Sequence, residues 1–209
     1  MFNKLSAALK SKSERKFRLT VFGIMLASGL AALTAAFVLT LEKFHLYEDP
    51  NAVLSCSINI VLNCSTVMQT WQSSVFGFPN MIIGLMAYSV IVTIAVAGLW
   101  GVQFPRMFLI IKNFTVLLGT IFAYWLLFQS VYVIEVLCPW CLIVTTSTTL
   151  IFSTLLHYNL KTNVFNLSKK HNDKVQRFLS GGYHQMIVLS WIALMVVLII
   201  LKFGEALFA

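Results

Sequence analysis

Five long stretches of this 209-residue sequence carry no charged side chain, and they constrain the fold more than any other feature. A helix needs about 20 residues to cross a hydrocarbon core of roughly 30 Å. The apolar runs are continuous and do not alternate with polar residues, which favours helices over barrel strands. With 59% apolar and 11% charged residues, the chain is predicted to be an all-α integral membrane protein. The predicted spans are residues 19–41, 81–102, 113–134, 136–156 and 179–201.

The positive charges are distributed unevenly around these spans. Lys and Arg are retained on the cytoplasmic side of a membrane, whereas acidic residues have little influence on orientation. With a cytoplasmic N-terminus, thirteen of the fifteen cations lie inside, and only Lys43 and Lys202 lie outside. Such cations pair with anionic lipid headgroups, so we predict a contact with membrane lipid and none with nucleic acid. The inner cations are Lys4, Lys10, Lys12, Arg15, Lys16, Arg18, Arg106, Lys112, Lys161, Lys169, Lys170, Lys174 and Arg177.

The only four cysteines form two pairs, and this orientation places both pairs outside. Cys56 and Cys64 lie in the loop after the first span, and Cys138 and Cys141 form a Cys-Pro-Trp-Cys sequence at the outer end of the fourth. Residues three apart share one face of a helix, and a helix N-terminus favours the thiolate. The outer side is the periplasm or extracellular space of a bacterium, or the lumen of the endoplasmic reticulum, where disulfides persist.

The cysteine pairs have several interpretations. Four thiols could bind zinc, although the gap between Cys56 and Cys64 is wider than in a zinc knuckle. A haem attachment site would need His where Leu142 stands. A structural disulfide between Cys56 and Cys64 could pin the loop, whereas a bond within one helix turn restrains almost no chain entropy. Glu135, just outside Cys138, either tunes thiol acidity or is a surface charge without a role.

The outer loop, residues 42–80, has one periodic pattern. Val67, Trp71 and Val75 recur at every fourth residue, which suits a short helix lying on the membrane surface. A solvated loop with incidental apolar residues is the alternative. The turn residues Asp49-Pro50-Asn51 precede this segment, and 76–80 (Phe-Gly-Phe-Pro-Asn) interrupt structure before the second span.

The order of these features resembles the vitamin K epoxide reductase family and its bacterial homologues. A first span is followed by Cys56 and Cys64, then by Phe76-Gly77, and later by a Cys-x-x-Cys that opens the fourth span. The resemblance covers roughly residues 19–158 and implies a four-helix transmembrane bundle around a quinone pocket. A fifth span also resembles bacterial members, some of which continue into a fused thioredoxin-like domain. Here the resemblance implies a separate DsbA-like thioredoxin-fold partner.

The resemblance also implies a division of the chain. Residues 1–18 would be a basic cytoplasmic N-terminus, and 19–158 a catalytic domain of the vitamin K epoxide reductase type. Residues 159–178 would be a basic cytoplasmic loop, and 179–209 the fifth transmembrane helix with a short outer tail.

The resemblance assigns a role to each cysteine. Cys56 would face the partner, Cys64 would exchange with Cys138, and Cys141 would face a quinone, either menaquinone or ubiquinone. The animal enzymes bind the quinone through an Asn and a Tyr, and Ser73 and Thr145 stand at those positions here. Phe76 is implied as a further quinone contact.

Other apolar side chains have two interpretations, a pocket lining or ordinary helix packing. They are Phe76, Phe114, Phe122 and Met86.

The predicted function is therefore that of a quinone-dependent membrane thiol-disulfide oxidoreductase. It would reoxidise the DsbA-like partner and so support disulfide formation in exported proteins. Two alternatives remain open: a non-catalytic membrane scaffold with structural disulfides, and a quinone or vitamin K (epoxide) reductase.

Overall fold

Helices account for nearly all of the chain that the structure describes. The computed structural model describes residues 2–207, and the side chains of residues 12–204 and 206. Within these residues there are seven α-helices and no β-strand. The helices are α1 (Phe2–Glu48), α2 (Cys64–Gln69), α3 (Met81–Trp100), α4 (Arg106–Gln129), α5 (Pro139–Lys161), α6 (Lys169–Ser180) and α7 (Tyr183–Phe203).

Five of these helices, α1, α3, α4, α5 and α7, are long and apolar enough to cross a membrane. They confirm the predicted all-α membrane fold with five spans. The orientation remains a prediction, and three of the charged side chains that enter it, those of Lys4, Lys10 and Glu205, lie outside the described residues.

The helices begin and end at other residues than the predicted uncharged stretches, because a charged residue does not terminate a helix. The first helix continues past residue 41 to Glu48 and stops at Asp49-Pro50, where the Asn51 N–H donates to Asp49 Oδ1 at 2.9 Å. The last span begins at Tyr183 and not at Leu179, because Gly181 and Gly182 separate α6 from α7. The basic loop thus contains a helix of its own, α6.

The structure corrects the position of Lys112. The prediction grouped this residue with the inner-loop cations, but Pro105 starts α4 at Arg106, so Lys112 lies two turns inside the helix. Its side chain is 7% exposed, and its Nζ lies 3.9 Å from Met25 Sδ and 5.8 Å from the centre of the Phe104 ring. Lys112 is therefore part of the bundle.

The helix packing leaves one open side. Helix α1 packs against α3 and α5, and α4 packs against α5, but α3 and α4 do not pack along their lengths. Helix α7 lies at the periphery, where Trp191 Nε1 donates to Tyr124 Oη on α4 at 2.7 Å. The first four spans thus form a bundle that is open between α3 and α4.

The segment between α1 and α3, residues 49–80, contains two short helices where the spacing predicts one. We call it the outer segment after its predicted side of the membrane. Helix α2 ends at Gln69, and a single 3₁₀ turn covers Trp71–Ser74. Thr70 separates them in extended conformation, with its N–H and hydroxyl both donating to Val67 O. Trp71 is 66% exposed and its ring centre lies 6.1 Å from that of Trp125.

Gly98 allows α3 to approach α1 closely. A Cβ built at this residue would lie 2.4 Å from carbon atoms of the Phe22 ring. Phe22 is 2% exposed and belongs to a buried cluster with Met25, Ile91, Ile94, Ala95 and Ile151. Small residues at helix contacts permit this approach in membranes.

We predict that Gly98→Ala destabilises the protein by about 1–3 kcal/mol, because the new methyl group overpacks the Phe22 contact. Gly23→Ala is the matched control, since a Cβ there meets no atom within 4 Å. Thermal unfolding in detergent should show a lower midpoint for Gly98→Ala than for Gly23→Ala. Equal midpoints would contradict the close packing of α1 and α3.

Candidate active site

A short backbone bridge joins the two cysteine segments. The Leu137 N–H donates to Val61 O at 2.7 Å, and the Asn63 N–H donates to Leu137 O at 3.0 Å. Cys64 directly follows the first bridging segment, and Cys138 directly follows the second. The bridge therefore sets the two cysteines side by side although 74 residues separate them in sequence.

Each of these cysteines stands at the beginning of a helix. Asn63 caps α2, with its Oδ1 accepting the Thr66 N–H at 3.1 Å. Cys138 caps α5, with its Sγ accepting the Cys141 N–H at 3.4 Å, and Pro139 occupies the first helical position. The Sγ atoms of Cys64 and Cys138 lie 3.4 Å apart.

The structure brings all four predicted cysteines together in one cluster, at the end of the bundle where α1 ends and α5 begins. Cys56 and Cys64 form a disulfide with a Cα–Cα distance of 5.6 Å, and Cys138 and Cys141 are free. Cys56, Cys64 and Cys138 are 5%, 0% and 1% exposed, while Cys141 is partly exposed. A disulfide thus lies in direct contact with a thiol that could attack it.

Cys138 has the environment of a reactive thiol. A hydrogen bond with the Cys141 thiol, helped by the backbone N–H groups of Cys141 and Trp140, holds the pKa of Cys138 below its usual range in spite of burial. The thiolate is the nucleophile in disulfide exchange. Cys138 is therefore the better placed of the two free cysteines to attack Cys64.

Two buried charges on α1 hold the outer segment over the cysteines. Glu42 accepts hydrogen bonds from the N–H and the hydroxyl of Ser55, the residue before Cys56. Lys43 Nζ donates to Met68 O in α2 at 2.5 Å. Both charged side chains are 9% exposed, so these contacts are shielded from water.

A cavity of about 480 Å³ lies next to the cysteines inside the bundle. Cys138 and Cys141 border it, together with residues of the outer segment and of α1, α3, α4 and α5. Its walls are mainly aliphatic and aromatic, and they include Leu39, Ile91, Ile94, Phe122 and Ile151. The cavity can hold an apolar ring with a hydrocarbon tail beside the Cys141 sulfur.

The predicted quinone contacts fall into two groups. Ser73 and Thr145 border the cavity, as expected for ligand contacts. Phe76 does not border it. Its ring is 57% exposed and lies 5.6 Å from Phe122, which does. Of the remaining apolar candidates, Phe114 and Met86 are each 60% exposed and do not border the cavity.

The hydroxyl hydrogens of the two polar contacts are already used. Ser73 Oγ is within donating distance of Met68 O at 2.6 Å and Thr70 O at 2.8 Å. Thr145 Oγ1 donates to Cys141 O at 2.9 Å. Both hydroxyls therefore offer only acceptor lone pairs to a ligand.

The sequence analysis missed several polar residues of the cavity wall and assigned Lys112 to an inner loop instead. The missed residues are Gln72, Asn80, Tyr88, Thr115, Ser130 and Thr148. Tyr88 Oη hydrogen-bonds Thr148 Oγ1 at 2.7 Å. Tyr88 lies inside a predicted span, where polar residues often mark a ligand path, so its position was a usable signal. No sequence signal pointed to Gln72, because the resemblance to the family selects its neighbour Ser73.

Glu135 does not contact the cysteines. It pairs with Lys202 of α7 at 2.7 Å, and this contact lowers the pKa of the Glu135 carboxyl. The carboxylate therefore ties α7 to the turn before Cys138. Among the described residues no group of three or more His, Cys, Asp or Glu side chains is placed to hold a metal ion.

Comparison with known families agrees with this architecture. The sequence model of the Vitamin K epoxide reductase family matches residues 23–156, which is more than half of the chain. The chain belongs to the vitamin K epoxide reductase family. No curated protein matches it. The predicted resemblance is confirmed, and membership of the vitamin K epoxide reductase family supports a membrane redox enzyme of the general thiol–disulfide and quinone type.

We predict that Cys141→Ala raises the pKa of Cys138, because the substitution removes the side-chain hydrogen bond that lowers it. Cys141→Ser keeps a donor at that position and is the matched control. The Cys138 thiolate should appear at higher pH in the Ala variant than in the Ser variant, as measured by thiolate absorbance in a pH titration. Identical titration midpoints would show that the side-chain bond has no such effect.

Proposed function

We propose that this protein is a membrane thiol oxidase that takes electrons from a thioredoxin-fold, DsbA-like dithiol and passes them to a membrane quinone. The observation that carries the proposal is the order of the sulfur atoms. The Cys56–Cys64 disulfide touches Cys138, and Cys138 is followed by Cys141 at the cavity. This order supports a path that runs from the outer segment into the bundle.

The electrons would move in two exchanges and one oxidation. The partner dithiol reduces the Cys56–Cys64 disulfide and becomes a disulfide itself. The Cys64 thiolate then attacks a Cys138–Cys141 disulfide at Cys138, and Cys56 attacks Cys64 to restore the first disulfide and release both inner thiols. The inner thiols close to a disulfide again and give two electrons and two protons to the quinone, which leaves as hydroquinone.

The described arrangement corresponds to the step before quinone reduction, with Cys56–Cys64 oxidised and Cys138 and Cys141 reduced. In it the bridge between Leu62 and Leu137 holds the exchanging sulfurs in contact. Fixed positions of this kind replace a bimolecular encounter by an intramolecular one, which raises the exchange rate.

The cavity fits a quinone by its shape and its walls. The ring would lie beside Cys141, and the isoprenoid tail would follow the aliphatic walls toward the opening between α3 and α4. A bound quinone supplies the two-electron acceptor that the cysteines need. The protein residues orient the ring near Cys141 and keep water away from the exchanging thiols.

The partner would need the outer segment to move. Cys56 is 5% exposed, so a protein thiol cannot reach it while Glu42 holds Ser55 and Lys43 holds Met68. The charge distribution supports a cytoplasmic N-terminus in the cell inner membrane, with the cysteines on the outer side. A periplasmic or extracellular dithiol protein would then meet the outer segment.

The first experiment is quinone reduction by the purified chain given a reduced thioredoxin-fold dithiol, with short-chain ubiquinone and menaquinone analogues in parallel. Cys56→Ser and Cys141→Ser should each lower turnover to background, because each removes one end of the path. Turnover by wild type that both substitutions abolish would support the oxidase.

The opposite result would favour the alternative function, that of a non-catalytic membrane scaffold with structural disulfides. No wild-type turnover with several quinones and dithiols, together with cysteines that stay oxidised throughout, would overturn the proposed function. Reduction of vitamin K epoxide by the same preparation would instead support the epoxide reductase.

A further inference from the structure

Lys112 is a buried basic residue at the wall of the cavity, without an acidic partner. Its side chain is 7% exposed, and it is the only charged residue among those that border the cavity in the described chain. Its Nζ lies 3.9 Å from Met25 Sδ and 5.8 Å from the centre of the Phe104 ring. A thioether is only a weak acceptor. No carboxylate of the described residues pairs with Lys112, since the one ion pair among them joins Lys202 to Glu135.

A buried ammonium of this kind needs compensation. A charge away from water is strongly destabilising unless a counter-charge and hydrogen bonds offset the lost hydration. Ionisable residues inside membrane spans are accordingly rare and mark sites for ions or ligands. Lys112 lies two turns inside α4, which is one of the five candidate spans. An anion that enters the cavity would supply the counter-charge that the described residues do not provide.

Lys112 lies at the end of the cavity opposite to the cysteines. The next residue, Asn113, accepts a hydrogen bond from Asn159 near the end of α5, whereas Cys141 lies in the first turn of α5. At a helical rise of about 1.5 Å per residue, the two ends are roughly 25 Å apart. The cavity therefore has a second polar position, remote from the thiols.

The surroundings of Lys112 indicate the rest of the ligand. The cavity walls near it are apolar and include Ile94 on α3 and Phe108, Ile111 and Val116 on α4. The cavity volume of about 480 Å³ lies within the usual range for sites that hold small organic ligands. A small inorganic anion would leave these walls without contacts, whereas a hydrocarbon chain would fill them. The opening between α3 and α4 admits such a chain from the membrane.

The single positive charge indicates the headgroup. One ammonium matches the one negative charge of a carboxylate and can donate to its oxygens. A phosphate carries more acceptor oxygens and is commonly held by several cationic or backbone donors, and no second cation borders the cavity in the described chain.

We propose that Lys112 Nζ binds the carboxylate of a long-chain fatty acid, whose hydrocarbon chain lies along the cavity toward the cysteines. This binding does not depend on thiol oxidation. A further consequence rests on the proposed function: the chain would occupy the space of the quinone, so the fatty acid would inhibit the oxidase by competition with the quinone.

The test measures binding of tritium-labelled hexadecanoate to the full-length protein in a nonionic detergent. Unlabelled hexadecanoate and hexadecanol, which has the same chain without the charge, are compared as competitors. In wild type, hexadecanol should displace the label at least about tenfold more weakly, the difference expected for a hydrogen bond between charged groups.

Lys112→Met keeps an unbranched side chain and removes the cation. Replacement of a buried charge by an apolar side chain is often tolerated, so the variant should fold. It should bind hexadecanoate about tenfold or more weakly than wild type does, and no better than it binds hexadecanol. Lys174→Met is the matched control, because Lys174 is an exposed cation of α6 and does not border the cavity. It should bind hexadecanoate as wild type does.

Three results would overturn the inference. Equal displacement by hexadecanoate and hexadecanol in wild type would do so even if Lys112→Met failed to fold. An unchanged affinity of Lys112→Met for hexadecanoate would place the carboxylate elsewhere. An equal loss in Lys174→Met would indicate a general attraction to positive charge.

The binding test is independent of the proposed function, because it uses neither a quinone nor a dithiol. Selective binding of hexadecanoate by a chain without oxidase turnover would support this inference and overturn the proposed function. In an active chain, hexadecanoate should raise the KM for the quinone at unchanged kcat in wild type, and much less in Lys112→Met. A lower kcat at unchanged KM would contradict the shared use of the cavity.

Discussion

The active site depends on a backbone bridge of two hydrogen bonds, between Leu137 and the residues 61 and 63. Each side of the bridge leads directly into a helix. Cys64 is the first residue of α2, and Cys138 is the cap of α5. The bridge satisfies backbone groups of Val61, Asn63 and Leu137, and the caps satisfy the N–H groups of Thr66 and Cys141 at the helix starts. A shift of one residue in the bridge would turn the next side chain to the other face and separate the two sulfur atoms.

Burial serves the chemistry of the site and restricts access to it. The proposed exchange between Cys64 and Cys138 would benefit from burial, because hydrogen bonds to the Cys138 sulfur are stronger away from water. The same burial hides Cys56 from any protein partner. Cys56 belongs to a buried cluster with Leu46, Leu54 and Met68, and the segment that carries it is held by the backbone bridge as well as by the contacts of Glu42 and Lys43. Access to Cys56 would need part of these contacts to open.

The sequence predicts the family and the fold from a few residue types. Four cysteines in two pairs, and five uncharged stretches, were sufficient for the family, the helical fold and the grouping of the cysteines. The sequence predicts the structure poorly where contacts with neighbouring residues determine the position of a side chain or the end of a helix. The rule that charged residues flank a span does not hold for Lys112, because its helix begins earlier, at Arg106 after Pro105. Thr70 ends α2 through bonds to Val67 that a four-residue spacing does not reveal. Gln72 also borders the cavity, although the family resemblance selects its neighbour Ser73.

Some polar side chains in the bundle are hydrogen-bonded within their own helix and others are not. The first kind contributes little polarity to the cavity. Helix α5 carries a series of threonines, yet each donates to the carbonyl four residues earlier, so its surface behaves as if it were apolar. These threonines are Thr145, Thr148, Thr149 and Thr154. A hydroxyl satisfied by its own helix adds no preference for a ligand beyond a weak acceptor. Gln72 Oε1, on the 3₁₀ turn, is buried without a hydrogen-bond partner among the described residues. The apolar walls of the cavity come mainly from the regular helices, which also contribute the polar side chains of Tyr88 and Lys112.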